Sequence, residues 1–166
     1  MHHFPSKRDL LVAVAERRLE NTAQSWANRR AAMGSDPVLI MRNMIQSTRQ
    51  MISEPGLIEL FVLVSSEATD TESPAHTLLA AWNRRAVAEI AELVRDAVAR
   101  GYFRADVDPD ELAREIIAVS IGLQFQWVLG AGELDFVETI RAYAQRLAAS
   151  VLTPTHANAV ATLRTA

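Results

Sequence analysis

Three dipeptides punctuate this chain, Asp36–Pro37, Ser73–Pro74 and Asp108–Pro109, and each precedes a long stretch without proline. A short polar side chain can accept the first free backbone N–H groups of a helix. Proline suits the first helical position because the N–H it lacks would go unsatisfied there. Each pair therefore predicts a helix start. The first helix is expected from Ser6, with Asp9 completing a shortened capping box, to about Ala32, stopping at Gly34. The second runs from Pro37 to about Ile52, where Glu54–Pro55–Gly56 interrupts it, and the third covers Leu57–Ala68. The fourth runs from Pro74 towards Gly101, the fifth from Pro109 to near Gly130, and the sixth from about Leu134 to just before Thr153–Pro154. No β-branched alternation lies between these signals. The fold class is all-α, a helical bundle of about six helices.

With 166 residues the chain fits one domain, and a core of that size needs no staple. It has no cysteine, which excludes thiol nucleophiles, disulfides and cysteine-ligated clusters. Four histidines and a net charge of −3 offer little to a metal or a polyanion. The short apolar runs Leu10–Ala15 and Leu57–Val64 are far below a membrane span, and the start carries charge from Lys7 onward without a secretory pattern. These features point to a cytoplasmic protein with no membrane partner. Nucleophile-elbow, phosphate-loop, zinc-protease and dinucleotide motifs are all absent, so no enzyme and no cofactor are expected.

At 100° per residue the fifth helix is apolar on two sides. Leu112, Ile116, Val119, Leu123 and Trp127 form one stripe, and Ile117, Ile121, Phe125 and Val128 form another. The sixth carries Phe136, Ile140, Tyr143, Leu147 and Val151, with Ala144 and Ala148 allowing close approach. A second apolar stripe needs a second partner. This helix pair is either central in a single-chain bundle or half of a four-helix interface between two copies. The latter is favoured, giving a homodimer on Ile117, Ile121, Phe125, Ile140, Tyr143 and Leu147. In the first helix the apolar face swings over, from Leu10, Leu11 and Val14 to Leu19, Ala23 and Trp26, and nothing in residues 1–9 can cover its beginning.

The opening string HHFPSKRDLLVAVAERR resembles the end of the recognition helix and the start of the next helix in TetR-family transcriptional regulators, through His3, Phe4, Ser6, Lys7, Asp9, Leu10 and Leu11. A second stretch, ARGYFRADVDPDELAREIIAVSIGLQFQWVL, is similar to the family's G-x-x-x-x-D-x-D-P turn and following helix. Gly101, Asp106, Asp108, Pro109, Gly122, Leu123, Gln126 and Trp127 carry it. The resemblance implies a TetR-like C-terminal domain. Residues 1–5 would be the remnant of a helix-turn-helix recognition helix, with His2, His3 and Lys7 left from the DNA-binding surface. Residues 6–152 would be the effector-binding and dimerisation domain, and 153–166 a flexible tail. It also implies a small apolar effector of unspecified identity, enclosed by Trp26, Met44, Met51, Phe61, His76, Trp82 and Phe125. His76 has a second reading, a helix-terminal histidine satisfied by its local turn, and methionines at Met44 and Met51 also serve as core filler. DNA would be a partner only with an N-terminal head of some 45 residues in place. The other function compatible with the residues is a stand-alone helical dimeric ligand-binding or interaction module that does not bind DNA.

Overall fold

The computed structural model describes residues 6–33, 36–54 and 56–165, apart from the side chains of Lys7, Arg29, Arg30, Ala32 and Met33. Six α-helices follow one another: α1 Lys7–Met33, α2 Leu39–Ser53, α3 Leu57–Glu67, α4 Pro74–Ala99, α5 Pro109–Leu129 and α6 Phe136–Val151. A terminal 3-10 helix spans Pro154–Arg164. Among the described residues there is no strand, only an isolated bridge between Phe103 and Leu152.

The caps sit where the sequence puts them. Ser6 Oγ accepts from the Asp9 N–H at 3.1 Å and donates to the Asp9 carboxylate at 2.7 Å. Ser73 Oγ accepts from the Ala75 N–H, and Asp108 Oδ1 accepts from the N–H groups of Asp110 and Glu111. Asp36 acts differently. Its carboxylate accepts from the Val38 N–H and from Arg42 Nε, so Pro37 and Val38 form a turn and α2 begins at Leu39. The α4 terminus closes on Gly101, whose φ of +71° lets Tyr102 N–H reach the Ala97 carbonyl while its own N–H reaches Val98. Gly34, the expected stop of α1, lies outside the described residues.

Two apolar clusters result. The main one joins Met41 and Ile45 of α2, Ile90 and Val94 of α4, Ile116 of α5 and Phe136 of α6, among others. A smaller one lies under the first half of α1, where Ala15 packs with Val64 of α3 and Ala75 of α4. Ion pairs tie α1 down at both ends of that region: Arg8 to Glu67 and Asp70, and Arg18 to Glu54.

Two expectations are corrected. Ile140 and Leu147 do not face outward; they are 1% and 5% exposed. With Ala144, Ala148 and Val151 they turn the apolar stripe of α6 onto α2 of the same chain. Residues 153–164 are not a loose tail. Leu163 is fully buried, Thr162 accepts from Arg42, and Thr153 N–H bonds to the Tyr102 carbonyl, closing the terminal helix over α6. By length and composition α5 is apolar enough to cross a membrane. It buries Leu112, Ala113 and Ile116 in the main core, while much of its remaining surface is half-exposed.

Leu10 and Val14 stay 42% and 40% exposed, close in value to Leu63 on α3 at 48%.

Candidate functional site

Helices α1 to α5 do not close completely where the two clusters meet. A cavity of about 80 Å³ opens between α1, α3 and α4, lined by Ala15, Leu19, Leu57, Leu60 and Phe61. A second, of about 140 Å³, lies between α1, α2, α4 and α5, against Trp26, Met44, Ile90, Ile116 and Phe136. Both are bordered by Thr22, Met51, Trp82 and Gln124, so they are adjoining lobes. At about 10–15 Å³ of such volume per water-sized group, the smaller lobe holds about five to eight heavy atoms and the larger about nine to fourteen. That is smaller than the ~300–1,000 Å³ of a typical ligand pocket. The indole of Trp82, which borders both lobes, meets Phe61 of the smaller lobe edge to face, with ring centroids 5.5 Å apart.

The walls are largely apolar, with polar groups at definite places. Gln124 is buried on α5 and its amide N–H donates to the Ser120 carbonyl at 3.2 Å. Thr22 and Thr48 each donate their hydroxyl proton to a carbonyl one turn earlier, Arg18 and Met44. Ser47 is also buried on the lining of the larger lobe. Two charged pairs stand at the edges. Arg18, on the smaller lobe, pairs with Glu54, and Arg85 and Glu89, on the larger, are 3.6 Å apart. No group of three or more metal-ligating side chains occurs among the described residues.

The structure brings Trp26, Met44, Met51, Phe61 and Trp82 together on this lining. It does not bring His76 or Phe125 there: for His76 the helix-terminal reading holds in place of the cavity one, and for Phe125 the cavity expectation is corrected. His76 Nδ1 is 2.9 Å from the Ala68 carbonyl, so the ring closes the α3–α4 turn as a helix-terminal histidine. Phe125 lies further round α5, half-buried on its outer side. Ile117 and Ile121, assigned by sequence to a surface between copies, border the larger lobe while remaining half-exposed. His2 and His3, and the side chain of Lys7, lie outside the described residues. The sequence reading missed Thr22, Thr48 and Gln124, because a lone polar residue on a helix reads as solvent-facing.

Tyr143 joins α6 to α5 by donating to Glu115 Oε1 at 3.1 Å. Burial first, then the neighbouring Glu115 carboxylate, pushes its phenol well above the ordinary value of 10.0. Folding therefore favours the protonated phenol. Above pH 10 the unfolded chain loses that proton while the folded chain keeps it, so stability should fall as pH rises past about 10. Tyr143→Phe should flatten that alkaline decline, and denaturant melts between pH 9 and 11 check it.

The sequence matches no curated protein significantly. In fold the chain is similar to a Saccharomonospora viridis protein described as a transcriptional regulator and solved in complex with choline. The two share 23% identity with a TM-score of 0.72, over 92% of this chain and 78% of that one. Residues 41–147, more than half of the chain and including α2 to α5 around the cavity, match the model of the tetracyclin repressor-like C-terminal domain. The chain belongs to the TetR family and carries its C-terminal domain.

Proposed function

We propose that this chain is the effector-sensing and dimer-forming region of a TetR-like transcriptional regulator, non-catalytic in itself. In a full-length form it would control DNA binding. The observation that carries this reading is the position of the two-lobed cavity, at the seam between the main core and the smaller cluster under α1. A molecule filling a seam touches both bodies, so it can bind one relative placement of them more tightly than another. Differential affinity of that kind is what shifts a two-state equilibrium. The start of α1, where Leu10 and Val14 remain exposed, belongs to the body that would move. The effector would be small and mainly apolar, with Trp26, Met44, Met51, Phe61 and Trp82 around it. Choline, the molecule held by the Saccharomonospora viridis protein, is compact enough to serve as one candidate.

Dimerisation is assigned to the exposed part of α5 beyond the cavity, where Phe125 is half-exposed and Leu129 is 84% exposed, flanked by the half-exposed Ile117 and Ile121 that also border the larger lobe, together with Tyr143 of α6. A contiguous apolar face of this kind marks an interaction surface.

Tryptophan fluorescence tests the sensing role, because Trp26 and Trp82 both border the cavity. Titration with compact apolar compounds and with choline should give a saturable change for at least one class. Trp82→Ala should weaken that binding about tenfold, the loss of ~1.4 kcal/mol of contact, without altering the oligomeric state. No saturable change with any compound of this size would overturn the sensing role.

A further inference from the structure

The two lobes differ in which body lines them. The larger is walled by Met44, Ile90, Ile116 and Phe136, all buried members of the main core, with Trp26 packed against that core. The smaller is walled by Ala15 and Leu60 of the cluster under α1, together with Leu57 and Phe61 of α3. Four residues border both lobes, one from each of four helices: Thr22 of α1, Met51 of α2, Trp82 of α4 and Gln124 of α5. Met51 is half-buried and its side chain is unbranched, so it yields to a link a few atoms long. Gln124 keeps an amide oxygen and a second N–H beyond the bond it makes to the Ser120 carbonyl, so a link that accepts and one that donates are both served.

Size and shape set the rest. The larger lobe holds about as many atoms as two fused rings, and the smaller about as many as one ring. Aromatic side chains wall both, Trp26 and Phe136 on the larger, Phe61 on the smaller and Trp82 on each, and flat rings pack well on such walls. A molecule confined to the larger lobe rests on the main core and on the second half of α1, at Thr22, Ala23 and Trp26. It leaves the first half of α1 untouched. Only a molecule that also enters the smaller lobe holds that half against the main core.

Resting on the effector-cavity reading above, we propose that the lobes are two subsites for one bipartite aromatic ligand. Its larger part anchors in the main core, and its smaller part, reaching past Met51 into the smaller lobe, fixes the first half of α1. Binding by the larger part alone supplies affinity without the conformational signal.

Three probes test this: 2-naphthol for the larger part, phenol for the smaller, and 2-benzyloxynaphthalene, in which a short ether joins two such parts. The fused rings of 2-naphthol exceed the smaller lobe, so they block the larger one alone. Calorimetric titration of the chain saturated with 2-naphthol should still show one phenol bound. The linked molecule should bind one per chain, about tenfold or more tighter than 2-naphthol, because its second part meets its lobe at a high effective concentration. Leu19→Trp, which fills the smaller lobe, should abolish phenol binding in the naphthol-saturated chain. It should also bring the linked molecule down to 2-naphthol, whose own affinity stays unchanged. Leu57→Phe serves if Leu19→Trp does not fold. At about ten times its Kd the linked molecule should slow amide hydrogen exchange across Leu11–Leu19 about tenfold, whereas 2-naphthol alone should leave that stretch unchanged. Equal slowing by 2-naphthol overturns the division of roles. Exclusion of phenol by 2-naphthol, or a linked molecule no tighter than 2-naphthol, overturns the bipartite ligand while leaving the cavity as an effector site. Failure of all three probes and of the broader compound titration overturns both.

Discussion

Ile140→Ala is expected to cost about 2–5 kcal/mol of folding stability, and Leu147→Ala a similar amount, because each leaves a hole under α2. Domains are stable by only about 5–15 kcal/mol in all, so either change removes a large fraction of the margin. In a chain of this size every kcal/mol lowers the melting temperature by roughly 2–4 °C. The loss should therefore be plain in a thermal or denaturant melt. Phe125→Ala is the control. Its ring is half-buried on the outside of α5, so within one chain it should cost much less than Ile140→Ala. A melt in which Ile140→Ala were nearly neutral while Phe125→Ala were severe would restore the outward-facing α6 that the sequence suggested.

The contrast between those residues shows what a sequence can and cannot carry. Helix starts are local: Ser73 and Asp108 cap groups two or three residues away, so Pro74 and Pro109 mark the starts of α4 and α5 without knowledge of anything distant. Asp36 misleads by two residues because its carboxylate is drawn to Arg42 as well as to the Val38 N–H. An apolar stripe is legible too, but it does not name what covers it. The α6 stripe reads equally well against a second copy or against α2, and the choice belongs to the path of the whole chain. The terminal helix is harder still. Pro154–Arg164 has no clear periodicity, and its fixed position depends on Leu163 finding a place in the main core.

The cavity was legible by half. Aromatic and methionine residues on inward faces, such as Trp82 and Met51, announce themselves by type and spacing. Gln124, Thr22 and Thr48 do not, since burial of a polar side chain is decided by helices remote in sequence. His76 and Phe125 show the reverse error: each is of a suitable type, yet one ring is turned to the Ala68 carbonyl and the other points to the outside of α5.

Gly122→Arg is expected to leave the fold of the single chain intact and abolish the dimer. A Cβ added at Gly122 meets nothing within 4 Å, so the substitution has room within one chain. Helix propensity even favours it, since glycine in a helix interior costs about 1 kcal/mol relative to good helix formers. The same absence of a side chain is what allows two helices to approach closely, and Ala118 one turn earlier extends that small surface. Flanking it, Phe125 and Leu129 supply the apolar area, and Tyr143 stands at the α6 edge. If α5 of one copy packs on α5 of another there, a guanidinium at position 122 would be buried on both sides of the twofold axis without a counter-charge. Two like charges would face each other across a desolvated seam, a penalty of several kcal/mol against an association free energy of about 8 kcal/mol for a micromolar dimer. Light scattering should give twice 18.3 kDa for the unsubstituted chain and 18.3 kDa for Gly122→Arg, with unchanged helical circular dichroism. A Gly122→Arg chain that remained dimeric at low micromolar concentration would move the interface off α5. A monomeric unsubstituted chain at high micromolar concentration would remove the interface altogether.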